Sequence, residues 1–263
     1  MDWLLAETES FLRRYWIEAQ DIIDNKVLFK DELFHHIFDV CRQAVGSKFE
    51  VITRGSAYFV EVIAVSKKGA TAQILEKREI QPLAKPLIKL AICVPRFPVL
   101  ESVVEKAVEM GVSEIQLLSS DYSFIKKSEK ISEGKWERWL KIIKSATQQS
   151  GRGDLMALHS PISLNEWMKS MNPSGSSMCL FGYEGEKTMG AKEYLNSQNK
   201  TGLESAWILV GGEGGFSTQE VASLQESGCQ AMTLGAQVLR VETACIAMIS
   251  ILKYEMNLMR GFQ

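Results

Sequence analysis

The sequence has no CxxC pair, no run of about 18 apolar residues and no marked excess of either charge. Each absence removes a class. Its 263 residues hold 30 Lys+Arg and 32 Asp+Glu, a formal charge of -2. Such a balance argues against a generic polycation that coats nucleic acid. The cysteines Cys41, Cys93, Cys179, Cys229 and Cys245 are odd in number and widely spread, so they support neither a disulfide framework nor a structural zinc site. Free thiols imply a reducing compartment. The start, Met1 to Glu7, has an early acid and no apolar core of signal length. A soluble, cytoplasmic protein is therefore expected. His35, His36 and His159 are not spaced as metal ligands and read as structural or surface groups; no metal is expected.

What is present is ordinary globular material, 46% hydrophobic and 24% charged, which excludes wholesale disorder. The charges are unevenly placed. Residues 1–80 carry 11 basic and 13 acidic side chains, residues 81–160 carry 12 and 9, and residues 161–263 carry 7 and 10. The middle third alone is net basic, so it is the better place for an anionic partner.

The first third reads as β structure. Phe49–Thr53, Tyr58–Val65 and Thr71–Leu75 are rich in β-branched and aromatic residues and are separated by turns at Arg54-Gly55-Ser56 and Ser66–Gly69. This predicts a meander or small barrel. Gln81–Pro86 holds two of the six prolines and lacks periodicity, which makes it the best boundary. It divides the chain into domains 1–84 and 85–263. Beyond it strands and helices alternate. Leu87–Val94 is a strand; Leu100, Val103, Val104, Ala107 and Val108 recur at helical spacing. Glu114–Leu118 is a strand, Trp136–Gln149 a helix, and Met178–Phe181 and Trp207–Val210 two further apolar strands. The alternation predicts an α/β domain, a parallel sheet covered on both faces, with its ligand site at the carboxyl ends of the strands.

Two segments carry the chemistry. The first is Val210-Gly211-Gly212-Glu213-Gly214-Gly215-Phe216-Ser217. A buried strand runs into four glycines around one glutamate, and Ser217 with Glu220 forms a capping box that opens the next helix. Glycines let a ligand approach the backbone, and the helix start offers free N–H groups. The spacing is neither GxGxxG nor GxxxxGK[ST], so the dinucleotide and P-loop fingerprints fail, and a nicotinamide oxidoreductase is disfavoured. Glu213 would repel a polyphosphate, so the loop suits a ligand of little or no net negative charge. The second segment runs Thr233-Leu234-Gly235-Ala236-Gln237-Val238-Leu239-Arg240-Val241-Glu242-Thr243. It leaves a strand, crosses a loop and enters the terminal helix at Glu242 and Thr243. Read alone, each segment also fits a structural turn or a capped surface helix.

Together the two segments resemble the C-terminal region of SPOUT-class methyltransferases, and more narrowly the RsmE family. The Gly211–Gly215 loop is similar to that family's Gly-Pro-Glu-Gly-Gly. Leu234–Thr243 is similar to its Leu-Gly-x-Arg-Ile-Leu-Arg-x-Glu-Thr. Glu105–Val112 resembles the family's first helix and Gln148–Arg152 its Glu-Gln-Ser-x-Arg segment. His36, Val40, Arg42 and Gly46 resemble its N-terminal region, and Arg14-Tyr15-Trp16 its opening Arg-x-Phe. These motifs in order, over residues 13–258, make a specific combination. Gly212 stands where the family has proline, and Gln237 where it has the first arginine.

The resemblance implies a trefoil-knotted, S-adenosylmethionine-dependent enzyme that methylates N3 of a uridine in 16S ribosomal RNA of the small subunit. It also implies a PUA-like, RNA-binding β-barrel at the N-terminus and a homodimer through the knot domain. The implied cofactor-binding residues are Phe181, Gly182, Val210, Gly211, Gly212, Glu213, Gly214, Gly215, Leu234, Gly235, Val238, Leu239 and Thr243. Arg240 is the candidate for stabilising the uridine anion, with Glu213 or Glu242 as proton acceptor or orienting group. Arg13, Arg14, Arg42, Arg54, Lys126, Lys127 and Arg152 are candidate RNA contacts. Of the Met-rich terminal helix, Met248, Met256 and Met259 fit either a dimer contact or a monomer core. The alternatives are a SPOUT methyltransferase for another RNA nucleotide and a non-catalytic RNA-binding or ribosome-assembly protein.

Overall fold

The computed structural model describes residues 13–125, 131–171, 176–185, 188–197 and 202–259. The chain forms two compact units, Met1–Pro82 with Thr147–Asp154, and Leu83–Ala146 with Leu155–Gln263.

The first unit contains β1 (Arg14–Trp16), β2 (Ile22–Ile23), β3 (Lys26–Phe29), α1 (Asp31–Phe34) with a π-helical continuation over His35–Val40, β4 (Lys48–Thr53), β5 (Ser56–Ser66) and β6 (Gly69–Glu79). They build a six-stranded sheet in the order β1-β4-β5-β6-β3-β2. β1 pairs with β4 in parallel, and the other pairs are antiparallel. The expected meander is β4-β5-β6. Its first turn needs Gly55 at φ +83°, a backbone that residues with a Cβ rarely adopt. Alternation sends Phe49, Val51, Val60 and Val62 inward, where they meet Tyr15, Ile17, Val27 and Phe29. The Tyr15 and Phe49 rings cross edge to face at 5.1 Å. Strands β1 to β3 are two to four residues long, too short for periodicity to show.

The second unit contains β7 (Leu87–Cys93), α2 (Phe97–Glu109), β8 (Glu114–Ser119), α3 (Glu133–Ser150, whose last turn falls in the first unit), β9 (Ala157–Ser163), α4 (Leu164–Ser170), β10 (Ser177–Gly182), β11 (Met189–Gly190), α5 (Ala191–Ser197), β12 (Ser205–Val210), α6 (Thr218–Glu226), β13 (Gln230–Thr233) and α7 (Val241–Glu255). The sheet order is β11-β13-β10-β12-β7-β8-β9, and every pair is parallel. Both faces are covered, as the alternation predicted. Leu90, Ile92, Ile115, Leu117, Leu180 and Ile208 point to one core with α2 and α7. Ala91, Cys93, Leu118, Cys179, Phe181 and Leu209 point to the other with α4 and α6. The α2 stripe Leu100, Val103, Val104, Ala107 and Val108 is wholly buried. Each large aliphatic side chain placed there stabilises the unit by roughly 1.5–3 kcal/mol, so a charge at Val104 would disrupt it. The chain runs outward from β7 through β8 to β9, then crosses to the other side for β10, β12 and β13. The strand order therefore reverses beside β7, where open α/β sheets place a crevice at the strand ends.

Candidate active site

Three neighbouring strands, β13, β10 and β12, deliver three loops to one end of the second unit. Those loops and the start of α7 enclose a cavity of about 330 Å³. It is lined by Gly182, Tyr183 and Glu184 after β10; by Val210 and Gly211–Phe216 after β12; and by Met232, Leu234, Gln237, Val238, Leu239, Val241 and Ala244 around the third loop and α7.

The glycine loop is shaped by close backbone approach. Gly215 N–H donates to the Gly212 carbonyl at 2.9 Å, and Gly215 has φ +69°. A Cβ on Gly211 would lie 2.9 Å from the Gly215 backbone, and one on Gly214 would lie 2.8 Å from Tyr122 Cβ. Neither position accepts a side chain without displacement. The capping box is as expected: Ser217 Oγ accepts from Glu220 N–H, and the Glu220 carboxylate accepts from Ser217 N–H. Glu213 Oε1 accepts from the Arg96 N–H at 3.0 Å. Beneath the loop, burial pushes the Cys93 thiol up to about 12, so it stays protonated and serves as packing.

The lining contains two carboxylates, Glu184 and Glu213, and, among the described residues, no Lys, Arg or His. The walls are otherwise glycine backbone and apolar side chains, with the Tyr183 phenol and the Gln237 amide among them. A neutral or cationic ligand fits such a site and a polyphosphate does not.

Of the residues singled out in the sequence, Gly182, Val210, Gly211, Gly212, Glu213, Gly214, Gly215, Leu234, Gln237, Val238 and Leu239 line the cavity. Phe181 is buried in the core directly before the lining Gly182, and Gly235 (φ +123°) sits within the third loop. Thr243 is exposed in the first turn of α7, next to the lining Ala244. Arg240 is the N-cap of α7, exposed, between the lining residues Leu239 and Val241; Glu242 follows it, partly buried. Sequence reasoning missed Tyr183, Glu184, Phe216, Met232, Val241 and Ala244. Strand alternation could have marked Met232, two residues before Leu234. Tyr183 and Glu184 follow a strand with no distinctive spacing.

The basic candidates divide. In the first unit Glu50 is 1% exposed. Arg14 Nε donates to Glu50 Oε2 at 2.7 Å, and Arg78 Nη2 to Glu50 Oε1 at 2.7 Å. Arg152 is buried and forks onto Asp154, with Nη2 to Oδ2 at 2.7 Å and Nε to Oδ1 at 3.2 Å. These guanidiniums are committed to carboxylates. Arg13, Arg42 and Arg54 are exposed, Arg13 donating to the Cys41 carbonyl. Lys126 and Lys127 lie outside the described residues. His35 pairs with Asp39 at 2.8 Å, His36 crosses the Tyr15 ring at 6.0 Å and His159 lies 3.6 Å from Glu114. Met248 is in the core, Met256 packs against it and Met259 is exposed.

Comparisons with known proteins agree on one family. Residues 82–253 match the model described as RNA methyltransferase domain, and residues 29–75 the one described as RNA methyltransferase PUA domain. Ribosomal RNA small subunit methyltransferase E of Aquifex aeolicus is 30% identical over 227 residues, 86% of this chain and 93% of that protein. The enzyme of the same name from Bacillus subtilis is 28% identical over 259 residues, 96% of this chain and 100% of that protein. A crystal structure of ribosomal RNA small subunit methyltransferase E from Neisseria gonorrhoeae, bound to S-adenosyl methionine, shares the fold. Its TM-score is 0.78 over 92% of this chain and 97% of that one, at 24% identity. With its parallel α/β sheet, its N-terminal PUA domain and these matches along nearly its whole length, the chain belongs to the ribosomal RNA small subunit methyltransferase E family.

Proposed function

We propose that the protein transfers a methyl group from S-adenosylmethionine to N3 of a uridine in 16S ribosomal RNA of the small subunit. Family membership supports the reaction class. The observation that carries the cofactor is the cavity itself: glycine bends, largely apolar walls and two carboxylates with, among the described residues, no lining cation. S-adenosylmethionine has no phosphates and carries a sulfonium, so it fits where a nucleotide polyphosphate does not. Backbone groups of Gly211–Gly215 and the third loop would hold it, with Val238 and Leu239 packing on it.

When bound, S-adenosylmethionine supplies an electrophilic methyl group and leaves as a thioether. The chain's own residues must align uridine N3, remove its proton and stabilise the anion that forms. Arg240 stands beside the cavity, exposed and between two lining positions, and supplies the positive charge. Glu213 lies in the cavity with one carboxylate oxygen held by Arg96 N–H, leaving the other to accept the N3 proton; Glu242, in the first turn of α7 two residues after Arg240, is the alternative acceptor or orienting group. Arg240→Ala should lower kcat about 10²–10³-fold with donor affinity retained in calorimetry. Undiminished transfer would remove Arg240 from this role. Mapping methylated uridine in small-subunit RNA from cells with and without the protein tests the whole reading. Absence of the mark in both would favour another nucleotide. No heat with S-adenosylmethionine at high micromolar concentration would favour a non-catalytic RNA-binding protein.

We read residues 1–84 as a PUA-like barrel that contacts RNA phosphates through Arg13, Arg42 and Arg54, and residues 85–263 as a knotted domain. Val238, 80% exposed beside the cavity, and Tyr254, 74% exposed on α7, support a homodimer through this domain, which sedimentation velocity tests. Reduced thiols and a ribosomal substrate support a cytoplasmic location.

A further inference from the structure

The loop after β8, Ser120–Ile125, holds two large aromatic side chains that the core does not use. Tyr122 is 52% exposed and Phe124 51% exposed. Exposed rings two residues apart are costly unless something covers them. They are not on a loose segment. Phe124 N–H donates to the Val94 carbonyl at 2.8 Å, and Asp121 N–H to Glu220 Oε1 at 2.8 Å. Ser217 Oγ donates to Asp121 Oδ2 at 2.6 Å, and Ser123 Oγ to the Ile125 carbonyl at 2.7 Å. The loop backbone that carries the rings is thus held in place.

Their surroundings are specific. Tyr122 packs on Gly214 of the cavity loop so closely that a Cβ there would come within 2.8 Å. Next to Gly214, Glu213 binds the backbone of Arg96. Arg96 precedes Phe97, and the Phe97 ring meets Phe124 edge to face at 5.4 Å. Lys135 Nζ sits 5.3 Å over the Phe97 ring. Contacts therefore run from the glycine loop to the two exposed rings, with Lys135 over Phe97 and the exposed Arg96 next to Phe97 in the chain. Aromatic faces interleaved with cations are what single-stranded RNA needs, faces for bases and charges for phosphates.

The chemistry of the reaction supplies the reason. Uridine N3 lies on the Watson–Crick edge, so it is reachable only when the base is unpaired or extruded. Extrusion deprives the neighbouring bases of their stacking partner. We propose, resting on the methyl-transfer reading above, that Tyr122 and Phe124 are a stacking platform for unpaired bases of the substrate RNA beside the cavity, with Arg96 and Lys135 meeting its phosphates. These are positioning residues.

The test uses the full chain and three readouts. The first is methyl transfer to small ribosomal subunits from cells lacking the protein. The second is fluorescence anisotropy with a labelled single-stranded oligouridylate. The third is calorimetry with S-adenosylmethionine. Tyr122→Ala and Phe124→Ala should each raise the KM for RNA and weaken oligouridylate binding about ten-fold, with donor affinity changed less than two-fold. Tyr122→Phe keeps the ring and should restore binding. Tyr122→Leu keeps bulk over Gly214 without a ring and should behave as Ala. Unchanged KM and anisotropy in the Ala variants would overturn the proposal. So would a parallel loss of donor affinity, which would make Tyr122 a support for the glycine loop. If the wild-type protein transferred no methyl group to RNA, the methyl-transfer reading would fail, and anisotropy would still decide whether the rings bind bases.

Discussion

The two units use charge in opposite ways. In the first, Arg14 and Arg78 close on a buried Glu50, and Arg152 closes on Asp154. In the second, the charges near the cavity, Glu213 and Arg240, stay exposed. A buried ion pair is satisfied and holds a fold; an exposed charge at a cavity mouth is available to a ligand. A count of charges along the chain cannot tell these apart. The net basic middle third includes Arg152, which is buried, and Arg138, which pairs with Glu101.

That contrast can be broken by substitution. The largest effect belongs to the site. Gly211→Ala puts a Cβ 2.9 Å from the Gly215 backbone, and displacement of the loop should cost about a hundred-fold in kcat/KM, with circular dichroism unchanged. Retained kcat/KM would show that the loop does not grip the donor. A middle effect belongs to the first unit. Glu50→Ala leaves two part-exposed arginines without their carboxylate and should cost roughly 2 kcal/mol in urea denaturation, while calorimetry with S-adenosylmethionine stays as in the wild type. Lost donor binding would show that the two kinds of charge are not separable. The smallest effect belongs to the exposed pair. Arg138 holds the Glu101 carboxyl below the usual carboxylate range, mainly by hydrogen bonding. A lowered acid stabilises the fold at neutral pH and loses that contribution as pH falls through its folded value. Arg138→Ala should therefore lower stability only slightly at pH 7, since the arginine is well exposed, and the gap should close as pH falls through the lowered Glu101 value. A gap that persisted once Glu101 is protonated would mean that lost packing, not charge, was measured.

Much of this was legible before folding. The α/β alternation, both-faced burial and the β4-β5-β6 meander follow from periods of 2 and 3.6, which any buried face imposes on its sequence. The capping box at Ser217 and Glu220 was legible because it is local. Strands β1 to β3 were not, because two to four residues cannot display a period. Nor was the grouping of Thr147–Asp154 with the first unit, which depends on contacts such as Trp16 N–H to Gln148 Oε1 at 2.8 Å, made across more than a hundred residues. Glu184 and Met232 entered the cavity lining through the sheet order, which no single segment encodes.

By itself, then, the sequence determined which stretches had to be buried and where the backbone needed glycine, since hydrophobic period and conformational freedom are properties of a segment. Only the tertiary structure decided which arginines were spent on carboxylates, which loops met around one cavity, and that Tyr122 and Phe124 were left uncovered beside it. Those outcomes depend on what arrives from elsewhere in the chain to pair with or cover each side chain.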